Sequence, residues 1–283
     1  MTASMEHRPR KRFGQNFLHD PGSIRRIIDA VAPLPGQRLV EIGPGRGAIT
    51  EGLLQAAGAL DVIELDRDLV APLAQRLGGL GRLRVHNADA LTFDLCGLSG
   101  DPEGAGDSGP RLRLVGNLPY NISTPLLFRF LDQAHCIEDM HLMLQKEVVD
   151  RLCAEPGGKT YGRLSVMVQT WCQAERLFVI GPGAFTPAPK VDSAVVRLIP
   201  HRPLPHPVDD PALHRRIVAA AFSQRRKTLR NTLSGLATTE QLQHCGIDPG
   251  ARAESLAVAD YVRLANALHQ PPPARQADAL EGP

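Results

Sequence analysis

Val40-Glu41-Ile42-Gly43-Pro44-Gly45-Arg46-Gly47-Ala48 joins an apolar run, Arg38–Ile42, to a helical pattern over Gly45–Ala57 that Gly58 ends. A buried strand, a glycine turn and a helix form the entrance of a ligand-binding α/β unit. The glycines let the backbone turn tightly and let a ligand approach the main chain, with the helix N-terminus beyond. Gly43, Gly45 and Ala48 satisfy G-x-G-x-x-G/A, and Glu64 follows at the distance where an acid binds a ribose hydroxyl. No Gly-Lys-Ser/Thr follows the turn, which excludes a P-loop. The turn alone does not separate NAD from S-adenosylmethionine, since both are adenosine compounds.

Outward from this turn, short apolar runs alternate with helical patterns, the order of a parallel sheet wrapped by helices. Leu60–Glu64, Leu83–His86, Leu112–Gly116 and His141–Gln145 read as further strands, with helices over Leu69–Leu77 and Pro125–Gln133. Each strand is a near-continuous apolar stretch, as burial on both faces requires. In Tyr161–Gln173, Leu164, Met167, Val168 and Trp171 fall at i, i+3, i+4 and i+7, which favours a helix. Arg176–Ile180 and Val191–Ile199 alternate like strands around Gly181–Pro189 and close the sheet as an antiparallel hairpin. Past a Pro/His linker, Pro200–Pro207, the segments Pro211–Phe222, Lys227–Leu236, Thr239–His244 and Glu254–His269 read as helices. Cys96–Pro110 holds five Gly, two Pro and three acids and reads as a floppy surface insertion; Pro271–Pro283 reads as a disordered tail. The expected organisation is an α/β domain over residues 1–200, with an N-terminal arm at 1–20, and a helical domain over 201–270.

At 283 residues, 43% apolar and 22% charged, the chain has a globular composition, and its longest apolar runs, such as Ile217–Phe222, are far too short for a bilayer span. Basic Met1–Arg12 has no apolar stretch behind it, so a cytosolic address and no membrane partner are expected. Cys96, Cys136, Cys153, Cys172 and Cys245 are widely separated with no C-x-x-C pair; reduced thiols are expected, and neither a disulfide framework nor a zinc site. The ten histidines show no ligand spacing, so no metal is expected. The net charge of +2 hides an asymmetry: Ala212–Gly235 holds Arg215, Arg216, Arg225, Arg226, Lys227 and Arg230 with no acid. Such a cluster is ordinarily a solvated face, but without compensating acids it suits a phosphate backbone.

Two segments tilt the reading toward methyl transfer. Asn87-Ala88-Asp89-Ala90 follows the third strand, where a carboxylate accepts from an adenine amine. Gly116-Asn117-Leu118-Pro119-Tyr120 follows the fourth, at the carboxyl edge where open α/β sheets bind ligands. The amine of adenine is a poor nucleophile because its lone pair is delocalised into the ring. Acceptors on its two N–H bonds favour the pyramidal form that attacks in line. Asn117 offers a side-chain carbonyl, Leu118 a main-chain carbonyl held by Pro119, and Tyr120 a face on which an extruded base stacks.

With these segments in order, the chain resembles the small-subunit ribosomal RNA adenine dimethyltransferases, the KsgA/RsmA family. The resemblance runs from about Lys11 to Leu268. It rests on Phe13-Gly14-Gln15-Asn16-Phe17-Leu18, Glu41-Ile42-Gly43-Pro44-Gly45, Asn117-Leu118-Pro119-Tyr120, Leu144–Val148 with Lys159–Ser165, and Phe185–Val195. It implies a Rossmann-like seven-stranded methyltransferase sheet with a small C-terminal helical domain. It also implies S-adenosylmethionine held by Asn16, Leu18, Gly43, Gly45, Glu64, Asp89 and Asn117, with the N-terminal arm as a lid. Phe185, by composition a core residue, becomes by resemblance a second face for the target base, opposite Tyr120. The partner implied is small-subunit rRNA in an immature subunit, the product two dimethylated neighbouring adenosines in its 3′-terminal hairpin, and the expected enzyme a monomer. The related large-subunit methyltransferases of macrolide resistance share the turn and the Asn-x-Pro-Tyr/Phe signature. Tyr161–Ser165 and Val191–Val195 favour the small-subunit enzyme over them. An rRNA-binding assembly factor without catalysis is the other reading, opposed by the intact Asn117 and Tyr120.

Overall fold

Continuous apolar runs build the centre of the sheet and mixed ones its edge. The computed structural model describes residues 15–99 and 111–269. Lys11, Phe13, Gly14, the 100–110 part of the Gly-rich stretch and the 271–283 tail lie outside the described residues. In chain order the elements are β1 (Phe17–Leu18), α1 (Pro21–Val31), β2 (Arg38–Ile42), α2 (Thr50–Ala57), β3 (Ala59–Glu64), α3 (Arg67–Leu77), β4 (Arg82–Asn87), β5 (Leu112–Asn117), α4 (Ser123–Asp132), β6 (Ile137–Gln145) and α5 (Lys146–Leu152). There follow α6 (Arg163–Trp171), β7 (Cys172–Ile180), β8 (Phe185–Thr186), β9 (Ser193–Pro200), α7 (Pro211–Ala221), α8 (Leu229–Thr232), α9 (Thr239–His244) and α10 (Val258–Leu268).

Seven strands pair in the order β4-β3-β2-β5-β6-β9-β7. The first five are parallel, and β9 runs antiparallel to both neighbours. The fold is thus α/β with a seven-stranded mixed sheet, and the expected closing hairpin is β7 with β9. β2 and β3 are buried almost throughout, whereas edge strand β4, Arg82-Leu83-Arg84-Val85-His86-Asn87, is half open. Ile27 and Val31 of α1, Leu53 and Leu54 of α2, and Leu73 and Leu77 of α3 join Leu39, Val62, Val115 and Val195 of the sheet in one core. The chain builds outward from β2 to β4 and then returns to β5, so the crevice between the carboxyl ends of β2 and β5 is the switch point where such sheets hold ligands.

The chain divides into two compact units, Met1–Ala154 with Trp171–Pro203, and Glu155–Thr170 with Leu204–Pro283. The second takes in Glu155–Thr170, which the sequence reading assigned to the first domain. In the second unit, Asp210 caps α7 by accepting from the Ala212 and Leu213 N–H groups at 2.9 and 3.0 Å, with Pro211 next to the cap. Tyr161, Phe222 and Tyr261 form an aromatic cluster, Tyr161 edge-on to Phe222 and Phe222 tilted against Tyr261, and the Tyr261 hydroxyl donates to the Ala253 carbonyl at 2.7 Å.

One cysteine expectation is corrected. Cys96 and Cys136 are joined in a disulfide, although they lie 40 residues apart and share no motif. Cys96–Leu98, the start of the Gly-rich stretch, forms a 3₁₀ turn behind the fully buried Leu95, while 100–110 lie outside the described residues. The Leu95 N–H donates to Gln133 Oε1 at 2.8 Å, an anchor that a composition count does not reveal.

Candidate functional site

A cavity of about 240 Å³ opens at the switch point. The turn after β2, the ends of β3 and β5, the segment following β4, and the arm ahead of α1 line it. Gly43 and Gly45 take φ values of 66° and 57°, a left-handed conformation that side chains rarely adopt, so this turn has to be glycine. The Gly43 N–H donates to the Ile63 carbonyl at 2.9 Å, tying the turn to β3. A side chain at Gly45 would also meet the Phe17 ring at 3.1 Å. Phe17 therefore packs directly on the turn, and the Arg46 guanidinium lies 4.7 Å from its ring centroid.

Glu64 ends β3 almost fully buried. Its Oε2 accepts from the Gly45 N–H at 3.0 Å and its Oε1 from the Asp66 N–H at 2.8 Å. Burial pushes its pKa up, and those two N–H groups hold it down. The carboxylate is thus fixed by main chain on both oxygens, each of which keeps a further lone pair for a ligand hydroxyl. Asp89 lies on the wall beyond β4, its Oδ1 accepting from the Leu91 N–H at 2.9 Å.

Asn117, the last residue of β5, donates its Nδ2 hydrogen to the Asn16 carbonyl at 3.0 Å. This assigns the amide: the nitrogen is committed to the arm and the oxygen is left as acceptor. The Leu118 N–H is anchored on the Met143 carbonyl of β6 at 3.1 Å, which fixes the peptide that carries the second expected acceptor. The Tyr120 hydroxyl shares a hydrogen bond of 2.6 Å with Ser193 Oγ at the start of β9, and this pins the ring.

Asn16, Leu18, Gly43, Gly45, Glu64, Asp89, Asn117, Leu118, Pro119 and Tyr120 all line the cavity. Phe185 does not. Its backbone pairs with Leu18 in the short β1–β8 ribbon, while its ring, 3% exposed, lies in the apolar core. This is the place its composition suggests, and in this fold the ring is packed in the core and not set against the cavity. Arg215 and Arg216 are exposed on α7, and Arg225, Arg226 and Lys227 on the turn that follows it. That turn replaces the start of the expected Lys227–Leu236 helix, whose α-helical part is α8 alone, with Arg230 exposed on it.

Sequence reasoning missed Glu41 as a chemical group. It lines the cavity 1% exposed, and its Oε2 has no hydrogen-bond partner among the described residues. Burial pushes its pKa up to about 8, and Glu64 adds in the same direction. The only sequence signal was an acid inside an apolar strand. The folded value lies above the ordinary 4.5, so the folded chain keeps this proton where the unfolded chain releases it. Stability is therefore expected to fall as pH rises through that window and to level off above it. Glu41→Gln, with no charge to bury, is expected to flatten the profile; denaturant melts of the two proteins between pH 5 and 9 that stay parallel would contradict this.

Comparison with known proteins adds an independent finding. The model of the ribosomal RNA adenine dimethylase family matches residues 6–270. The chain is 56% identical to ribosomal RNA small subunit methyltransferase A of Pseudomonas aeruginosa over 96% of its length and 99% of that protein. Among solved structures, a dimethyladenosine transferase from Plasmodium falciparum superposes with a TM-score of 0.74 at 25% identity, covering 88% of this chain and 95% of that one. The 23S rRNA methyltransferase ErmE superposes at 0.67 and 27%, covering 90% and 100%.

Proposed function

Since the chain belongs to the ribosomal RNA adenine dimethylase family, we propose that it dimethylates the N6 amines of two adjacent adenosines in the 3′-terminal hairpin of small-subunit rRNA, late in subunit assembly and in the cytoplasm. The carrying observation is Asn117, held by its own amide nitrogen with its oxygen left to accept, beside the cavity at the switch point.

The lining suits S-adenosylmethionine. Glu64 is set on main-chain N–H groups to bind ribose hydroxyls, Asp89 stands where an adenine amine would donate, and the glycine turn admits close approach. The unpartnered Glu41 Oε2 marks a buried polar place with capacity for one more contact. When bound, this cofactor supplies an electrophilic methyl on sulfur. Asn117 Oδ1 and the Leu118 carbonyl would then accept the two hydrogens of the target amine and direct its lone pair at that methyl. Tyr120, its hydroxyl already on Ser193, supplies a ring of fixed orientation for the base to stack on. No strong general base is needed, because forming the new bond makes the amine acidic.

Large-subunit rRNA is the alternative substrate, as for ErmE, but 56% identity to a small-subunit enzyme against 27% favours the small subunit. Transfer of labelled methyl groups to immature small subunits and to deproteinised large-subunit rRNA, with the products mapped, decides between them. Label confined to the small-subunit hairpin is expected, and label in the large-subunit RNA would overturn the assignment.

The exposed basic residues of the second unit are proposed to meet phosphate. Each phosphate contact releases counterions, so log affinity falls with log salt by about 0.7–0.9 per contact. Replacing Arg225, Arg226 and Lys227 by Gln is expected to flatten that slope by roughly two to three. A slope equal to the parent's would make these residues an ordinary solvated face.

A further inference from the structure

Among the described residues, one group of three side chains offers metal-ligating atoms close together: Cys96, His135 and Cys136, all within 4.8 Å of one another. It is separate from the methyl-transfer cavity and none of its members lines that cavity. Cys96 opens the 3₁₀ turn that follows Leu95, and His135 and Cys136 end the connection from α4 to β6. Spacing hid the group because two loops about 40 residues apart supply it.

Two features distinguish it from a chance meeting of thiols. First, an imidazole joins the sulfurs: His135 Nε2 lies 3.3 Å from Cys96 Sγ. Second, the scaffold holds the two loops together without help from the sulfur–sulfur bond. Gln133, 6% exposed, accepts from the Leu95 N–H with its side-chain oxygen at 2.8 Å and from the Cys136 N–H with its main-chain oxygen at 3.2 Å. Arg129 and Gln133 both donate to the Phe93 carbonyl, at 3.0 and 3.3 Å. The ligand positions are therefore preset, and His135, exposed, leaves one side open to an entering ion and a water.

We propose that Cys96, Cys136 and His135 form a binding site for a thiophilic d¹⁰ cation, with Zn²⁺ as the probe, which is open when the sulfurs are reduced and closed by the disulfide. A dithiol reductant opens it by exchange: the Cys96–Cys136 bond breaks, both sulfurs take up protons, and the reductant leaves as its own disulfide. Zn²⁺ then displaces the two thiol protons and is bound by two thiolates, one imidazole nitrogen and a water. With Zn–S near 2.3 Å and Zn–N near 2.0–2.1 Å, tetrahedral ligand atoms sit roughly 3.5–3.8 Å apart. The Cys96–His135 spacing is already close to what is needed. The proposal takes from the functional reading only the reducing cytoplasm, where such pairs bind metal or turn over more often than they stay crosslinked.

The test uses the whole protein and does not depend on methylation. Full-length chain, reduced with a phosphine and freed of metal, is titrated with Zn²⁺ against a chromophoric chelator, beside the same protein oxidised until alkylation no longer reaches Cys96 and Cys136. One equivalent of tightly held Zn²⁺ in the reduced protein and none in the oxidised protein is expected. His135→Ala should weaken binding by about tenfold or more, and the Cys96→Ser, Cys136→Ser double variant should abolish it while Cys153, Cys172 and Cys245 remain. Co²⁺ in place of Zn²⁺ should show thiolate charge-transfer absorption that the double variant lacks. Equal Zn²⁺ retention by reduced parent and double variant, with both folded by circular dichroism, overturns the site. Unchanged affinity in His135→Ala overturns the imidazole's part. Failure to methylate rRNA with Zn²⁺ binding intact would count against the functional reading and leave this one standing.

Discussion

Asn117→Ala is expected to slow single-turnover methyl transfer by about 10²–10³-fold, the usual loss when one preset polar group aimed at the reacting centre is removed. The expectation rests on the direction of the amide. With Nδ2 given to the Asn16 carbonyl at 3.0 Å, the oxygen is presented without any rearrangement when the amine arrives. Alanine removes the acceptor and also releases the arm, so cofactor affinity should fall as well; measuring the rate at saturating cofactor separates the two effects. Asn117→Asp sharpens the test. It keeps acceptor oxygens but places a carboxylate against the Asn16 carbonyl, so it should lose arm closure more than chemistry. RNA binding should change little in either variant. A normal chemical rate accompanied by lost RNA affinity would show that Asn117 docks the substrate and does not activate it.

How far the fold was legible followed from which forces were local. Central strands showed plainly, because a parallel strand buried on both faces has to be apolar throughout. Boundaries failed where a local conformation or a distant partner intervened. The helix expected from Gly45 begins at Thr50, since Gly45 and Gly47 have positive φ and form the turn itself. β6 begins at Ile137 and not at His141 because Asp139, which looks like a surface residue, is buried against Arg113 at 2.9 Å, with Arg197 at 3.5 Å. The helix expected over Lys227–Leu236 keeps only Leu229–Thr232 in α-helical form, and Thr228, Ser234 and Gly235 around it are poor helix formers. The place of the cavity was legible because the residues singled out for cofactor and base lie on the arm, in the turn after β2 and at or just beyond strand ends, and these segments converge on one lining. What escaped were properties set by tertiary neighbours: the buried proton of Glu41 and the meeting of Cys96, His135 and Cys136.

Glu64→Ala is expected to weaken S-adenosylmethionine binding by about 1.5–3 kcal/mol, the range for hydrogen bonds to a charged group, or roughly ten- to 150-fold in Kd. The structure explains why no neighbour substitutes for it. Both oxygens already accept from main-chain N–H groups, of Gly45 and Asp66, so the carboxylate orients the glycine turn and, on the proposed reading, the ligand as well. Removing it leaves those N–H groups without their acceptor and loosens the turn that has to approach the cofactor. Glu64→Gln should not rescue, because its NH₂ would face one of two N–H groups that both require an acceptor. The pH dependence follows from the same geometry. Burial raises the pKa of Glu64, and its charged form is the one that accepts ribose hydroxyls, so affinity should fall on acidification at a higher pH than for an ordinary carboxylate. In Glu64→Ala that dependence should vanish while rRNA binding persists. Calorimetric titration of parent and variant across the acid range is the measurement. Unchanged affinity in a variant that melts cooperatively would remove Glu64 from the cofactor site.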